Sequence, residues 1–347
     1  MDERADIAGL VDRLWPGQGP TPLVDLPGLA RACGVARVIV KDESRRPLGN
    51  FKSLGGTYAA LAALAREMGE PTVAAMLDAR RAPSPLPRLI CASAGNHGLA
   101  VAAAAEKAGA PARIYLYDGV SEVRVRRLAE RGAELVWVAG DYDDAVAAAA
   151  RAAAAGEGLL IADISERTDD PATADVMAGY DLIAQEIAGQ APGLGGGVPT
   201  HLFVQAGVGG LAGALAQGLG ERLAPPPRIV VVEPAAARCV AAGLAAGRPV
   251  RLDGDPSSAA AMLACGQASA PALEMLLRRR ASAIGVDEAG LARAVRRLAE
   301  AGGPATTPSG ATGLAGLMAA PPGSAEAAEL GVSAESRILL IVTEGPA

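Results

Sequence analysis

An α/β fold of open, mostly parallel twisted sheets with helices on both faces is what this 347-residue chain predicts. Short β-branched runs alternate with Ala/Leu/Arg-rich helical stretches, two Gly-rich loops each follow a strand and open a helix, and half the residues are apolar. Alternation of this kind requires crossover connections, so the strands lie parallel and the helices cover both sheet faces. Ligands in such folds gather at the carboxyl ends of strands, which is where both loops fall.

In chain order, strands are expected at residues 37–40, 88–92, 113–117, 134–138, 159–163, 201–205, 228–233 and 337–343. Runs such as Val38-Ile39-Val40, Leu202-Phe203-Val204 and Val230-Val231-Val232 have the composition of strands buried on both faces. Helical patterns lie between them, as at residues 123–132, 144–155 and 174–188. The Pro/Gly-rich stretches 81–87, 189–199 and 225–227 read as surface connections. The length suits two lobes, a smaller one of residues 57–165 inserted into a larger one of residues 1–56 and 166–347.

Composition excludes several function classes. The net charge is −6, and no basic stripe carries interleaved aromatics, so nucleic acid is not an expected partner. No apolar run is long enough to span a bilayer, and the acidic start Met1-Asp2-Glu3-Arg4 lacks a signal-peptide pattern. A soluble cytoplasmic protein is expected. Four cysteines without CxxC spacing and only two histidines, His97 and His201, make no zinc set. The run Arg278-Arg279-Arg280 suits a helix C-terminus or a solvated face.

Of 32 basic residues only Lys41, Lys52 and Lys107 are lysines. Arginine stays protonated at working pH, whereas a desolvated lysine can act as an amine nucleophile. Lys52 stands in Gly49-Asn50-Phe51-Lys52-Ser53-Leu54-Gly55-Gly56, which points to amine chemistry rather than a surface charge. A second loop, Ser93-Ala94-Gly95-Asn96-His97-Gly98, follows the strand around Leu89-Ile90-Cys91. Its small residues let amides at a helix start approach an anion, and the Asn96 amide can bond a ring oxygen or simply cap the helix. The third loop, Gly207-Val208-Gly209-Gly210-Leu211, offers a nest of N–H groups and a helix N-terminus, a phosphate cradle needing no basic side chain. Alone, it also reads as a dinucleotide fingerprint, with Glu233 placed to hold a ribose, as in an NAD-dependent dehydrogenase.

Taken together, these segments resemble the fold type II pyridoxal-phosphate enzymes, and within them the diaminopropionate ammonia-lyases. Further matching segments are Lys41-Asp42-Glu43-Ser44, Val204-Gln205-Ala206 leading into the third loop, Val232-Glu233-Pro234, Leu263-Ala264-Cys265-Gly266 and Ser309-Gly310-Ala311. The resemblance implies a two-domain α/β fold with pyridoxal 5'-phosphate attached covalently to Lys52, its O3′ bonded by Asn96. It implies a phosphate site at Gly207, Val208, Gly209, Gly210 and Leu211, with Ser309 facing the pyridine nitrogen. It also implies a homodimer, and it places Cys239 and Cys265 where ammonia-lyase relatives carry cysteines. Two thiols are the commoner state of such a pair in a reducing cytoplasm.

The activity so implied is α,β-elimination from a β-substituted L-amino acid, with 2,3-diaminopropionate giving pyruvate and ammonia. Rivals within the superfamily are a serine/threonine dehydratase and a β-replacement synthase, and outside catalysis a binding protein of the same fold. The substrate carboxylate would rest on the backbone of Ser93, Ala94, Gly95, Asn96 and His97, and Lys52 would take the Cα proton. His97 and Asp163 are the candidate acids for the leaving group; the plain alternatives are a loop brace and a strand-end cap. One departure stands out: the ammonia-lyases carry an aspartate before Gly-Asn-His, and dehydratases and racemases a serine, where this chain has Ala94. A methyl group accepts no proton, so action on L-substrates alone is expected.

Overall fold

A computed structural model of the chain describes residues 6–78, 86–140 and 142–346. The acidic start at residues 1–5 and most of the Pro-rich stretch 81–87 lie outside the described residues. In chain order the elements are α1 (Ile7–Leu14), β1 (Leu23–Asp25), α2 (Pro27–Cys33), β2 (Arg37–Asp42), α3 (Lys52–Glu67), α4 (Val73–Asp78), β3 (Leu89–Cys91), α5 (Asn96–Ala108), β4 (Ala112–Tyr117), α6 (Glu122–Ala129), β5 (Glu134–Val138), α7 (Tyr142–Ala154), β6 (Leu159–Leu160) and α8 (Pro171–Gln190). There follow β7 (His201–Gln205), α9 (Gly210–Leu219), β8 (Arg228–Pro234), α10 (Cys239–Ala246), α11 (Ala270–Arg278), β9 (Ser282–Val286), α12 (Glu288–Glu300), α13 (Pro308–Ala319), α14 (Ala325–Leu330) and β10 (Arg337–Val342). The α/β class is that of the sequence reading.

Two compact units are present. The larger comprises Pro20–Phe51, Ile164–Asp169 and Tyr180–Ala347. Its sheet runs β1-β2-β10-β7-β8-β9, parallel throughout except for β1 against β2. β2 and β7 are buried at every residue, as expected of parallel strands covered on both faces. Val38, Phe203, Val230 and Leu340 from four strands pack with Leu314 and Leu317 of α13 in one apolar core.

The smaller unit comprises Met1–Gly19, Lys52–Asp163 and Asp170–Gly179. Its parallel sheet runs β5-β4-β3-β6. Small residues set its helix packing. A Cβ at Gly56 of α3 would lie 2.7 Å from the Ala100 Cβ of α5, and one at Gly179 of α8 would lie 2.6 Å from the Gly55 Cα. The glycines after Lys52 therefore bring three helices into near-backbone contact, and Ala145, Ala149 and Ala152 of α7 do the same under the sheet.

Boundaries differ from those drawn on the sequence. Met1–Gly19, Lys52 to Gly56 and Asp170–Gly179 cluster with the smaller unit rather than with the larger lobe. The reasons are local: Arg13 of α1 bonds Asp78 at 2.8 Å, Lys107 lies over the Trp15 ring, and Arg66 of α3 bonds Asp175 of α8 at 2.6 Å. The strand expected at residues 159–163 is two residues long, so Asp163 lies beyond it. Strands β1 and β9 were not anticipated. Each is a short sheet edge without a continuous apolar run.

Candidate active site

Lys52 is the first residue of α3. Its Nζ lies 2.6 Å from Asp163 Oδ2, and both side chains stay partly open, 18% and 19% exposed. Asp163 lies three residues past the end of β6 at Leu160, beyond the bond from the Ile161 N–H to the Ile90 carbonyl at 2.8 Å. Burial works against charge on Asp163, but Lys52 beside it more than reverses that and holds the carboxyl well below the usual carboxylate range. Asp163 is thus an anion that stabilises a protonated amine at position 52, rather than an acid with a proton to give.

The loop of residues 93–98 joins β3 to α5 in the same unit. A Cβ at Gly98 would collide with the Ser93 carbonyl, so glycine is required for the loop to double back. Ser93 Oγ accepts from the Gly95 N–H at 3.3 Å, and Ala94 is buried. Asn96 opens α5 directly after its cap Gly95. His97 is 4% exposed, with Nε2 at 3.0 Å from the Ile161 carbonyl and Nδ1 without a partner among the described residues. Burial pushes its pKa down, so the ring is neutral, with its proton on Nε2 donated to that carbonyl. His97 therefore braces the loop against the segment leading to Asp163. It has no proton free for a leaving group.

In the larger unit the loop 207–210 joins β7 to α9. Gly209 has φ +94°, a left-handed conformation, and a Cβ there would meet Val240 and Ala272. Cys239 Sγ donates to the Gly207 carbonyl at 3.3 Å, and the Ser269 N–H donates to the Val208 carbonyl at 2.9 Å. A trans peptide sets its N–H opposite its C=O, so the amides of Val208 and Gly209 face away from those donors. With the N–H groups of the first turn of α9, at Gly210 and Leu211, they are the amides this loop has to offer an anion. Ser309, 3% exposed at the second position of α13, accepts from the Met262 N–H at 3.2 Å through Oγ. That bond occupies one lone pair and leaves the Ser309 O–H to donate elsewhere. The supporting donors Cys239, Ser269 and Met262 were not assigned this role from sequence; Cys239 and the run 263–266 beside Met262 carried a signal through the resemblance, and Ser269 carried none.

Glu233 does not serve a ribose. It is fully buried, and its two oxygens accept from the Val240 N–H at 2.7 Å and the Ala241 N–H at 2.9 Å, capping α10. Burial raises its carboxyl to about 7 despite those two bonds. Cys239 and Cys265 are both thiols, and burial holds the Cys239 thiol high, as a hydrogen-bond donor requires. Among the described residues no group of three His, Cys, Asp or Glu could hold a metal, and no helix is long and apolar enough to cross a membrane.

Comparison with known proteins bears on these groups. Residues 14–344 match a family described as pyridoxal-phosphate dependent enzyme. Diaminopropionate ammonia-lyase of Salmonella typhimurium is 33% identical over 348 residues, covering 95% of this chain and 86% of that protein. The crystal structure of holo diaminopropionate ammonia lyase from Escherichia coli superposes with a TM-score of 0.87 at 30% identity, over 99% of this chain and 88% of that one. A T.th. threonine deaminase is more distant, with a TM-score of 0.77 at 25% identity over 99% and 98% of the chains.

Proposed function

The chain belongs to the pyridoxal-phosphate dependent enzymes, and from that premise we propose that it eliminates the β-amino group of L-2,3-diaminopropionate, giving pyruvate and ammonia. The observation that carries the reading is the amine of Lys52, partly open and 2.6 Å from a carboxylate, in a chain like the ammonia-lyases over nearly its whole length.

The donors present fit pyridoxal phosphate. Lys52 offers an amine for its aldehyde carbon, the cradle at 207–211 suits a phosphate, the Asn96 amide suits the ring hydroxyl, and the Ser309 O–H suits an unprotonated ring nitrogen. When bound, the cofactor supplies an electron-withdrawing ring for the electron pair left at Cα. A serine in place of a carboxylate at the ring nitrogen makes that withdrawal milder, which suits departure of a β-group.

The chain's own residues do the rest. Amides of residues 93–97 bind the substrate carboxylate at the start of α5. Lys52 Nζ takes the Cα proton, and Asp163 keeps that proton on Nζ by charge. The C–N bond at Cβ breaks and the leaving amine takes the proton from Nζ, since His97 is committed to the Ile161 carbonyl. Water then completes the conversion to pyruvate with release of the second ammonia. Ala94 offers no proton acceptor, so only the L-isomer is a substrate.

Borohydride reduction of the cofactor-loaded protein followed by peptide mapping is expected to find the pyridoxyl group on Lys52; label elsewhere, or none, defeats the assignment. Pyruvate formation from L- but not D-2,3-diaminopropionate tests the activity and the role of Ala94 together. A dehydratase shows instead the faster turnover on serine or threonine, and a β-replacement synthase needs an added thiol or amine. The proposal includes a cytoplasmic homodimer; light scattering at the loading concentration of the assay measures the oligomer.

A further inference from the structure

Gln205 closes β7 and is 2% exposed. Its Nε2 lies 3.2 Å from the Ser309 carbonyl, 3.1 Å from the Gly310 carbonyl, 3.0 Å from the Ile341 carbonyl and 3.1 Å from the Thr343 hydroxyl. Its Oε1 has no partner among the described residues. The four acceptors fix which end of the amide is nitrogen. They exceed what two hydrogens can satisfy, while the oxygen goes unused. A leucine or methionine would fill the same volume without leaving a buried carbonyl unpaired, so packing does not explain a glutamine here.

What the nitrogen joins does explain it. Ser309 and Gly310 form the first turn of α13. Ile341 and Thr343 are at the end of β10, and the Thr343 carbonyl accepts from the Phe51 N–H at 3.0 Å, one residue before Lys52. Gln205 itself leads through Ala206 into the loop at 207–210. α13 lies so close to this strand that a Cβ at Gly313 would come within 2.9 Å of the Phe203 carbonyl and 3.2 Å of Gln205 Oε1. One amide therefore ties three segments on which the cofactor reading depends.

We infer that Gln205 is a positioning residue that fixes the Ser309 hydroxyl relative to the phosphate loop, so that both ends of one rigid cofactor are met at once. The inference rests on the cofactor assignment of the preceding subsection. Without the amide, a cofactor anchored by its phosphate no longer presents its ring nitrogen to Ser309. A cofactor lacking the phosphate can shift to do so.

The test is a double-mutant cycle on cofactor affinity. Apoproteins of wild type, Gln205→Met, Ser309→Ala and the double variant are titrated with pyridoxal phosphate and with pyridoxal, followed by absorbance. In the wild-type background Gln205→Met is expected to weaken pyridoxal phosphate binding about tenfold, the scale of one hydrogen bond. In the Ser309→Ala background, and with pyridoxal in either background, the loss is expected to stay below about twofold. Gln205→Asn, which keeps the amide one methylene short, gives an intermediate loss and guards against a folding defect. Equal losses in both backgrounds, equal losses for both ligands, or no loss at all would overturn the inference. A wild-type protein that develops no cofactor absorbance counts instead against the assignment of Lys52.

Discussion

Lys41 and Lys52 each hold a carboxylate oxygen at 2.6 Å, in different units of the chain, and their surroundings differ. Lys41 is fully buried, and its three ammonium hydrogens are matched by Glu186 Oε2, the Thr21 carbonyl at 2.7 Å and Gln190 Oε1 at 2.9 Å. Glu186 is shared with Arg46, which also bonds Glu43 at 2.7 Å. Burial pushes the Lys41 pKa down and Glu186 opposes it, as in an ion pair held inside the fold. Lys52 keeps 18% of its side chain open and meets an anion that is itself partly open. Distance to a carboxylate does not mark a lysine for chemistry. Access does, together with a partner able to hold a proton on the amine and then let it go.

Substitutions at the two pairs sharpen the contrast. Lys52→Ala is expected to lower pyruvate formation by ~10³-fold or more while unfolding free energy changes by less than about 2 kcal/mol. Lys41→Met should do the opposite first: it leaves Glu186 with one cation fewer in a sealed site and costs about 3–5 kcal/mol in urea unfolding. Comparable stability losses at the two positions would erase the distinction.

Asp163→Asn removes the charge that keeps the proton on Nζ, and kcat is expected to fall ~10²-fold with the cofactor still bound. Because the Asp163 pKa is depressed, its stabilising contribution is present above the ordinary carboxylate pKa and is lost only as pH falls through the lower folded value. The wild-type rate profile above pH 5 should therefore contain no inflection from Asp163, and Asp163→Asn should lower the whole profile without removing an acid limb. The smallest effect belongs to His97. Its folded pKa is depressed by burial, so the native state binds fewer protons than the unfolded chain once pH drops below about 6.5. Stability should fall there by up to about 1.4 kcal/mol per pH unit, and His97→Gln should flatten that slope.

Much of the architecture was legible because it rests on local composition. Runs like Val38-Ile39-Val40 and Val230-Val231-Val232 suit strands covered on both faces, and the glycines at 207–210 suit a tight turn from strand to helix. β1 and β9 were not legible, since a short edge strand is defined by the neighbour it pairs with rather than by its own residues. The scarcity of lysine was a partial guide. It singled out Lys52, yet Lys41 was retained equally and sits sealed in an ion cluster.

By itself, then, the sequence determined the α/β class, the Gly-rich loops and the amine at position 52, all written in short contiguous stretches. Tertiary structure alone decided that Asp163, 111 residues away, meets that amine; that His97 spends its proton on a carbonyl; and that the Glu233 carboxylate caps a helix. Each of those outcomes depends on which groups burial leaves near one another, and on which charge or hydrogen bond offsets the loss of water.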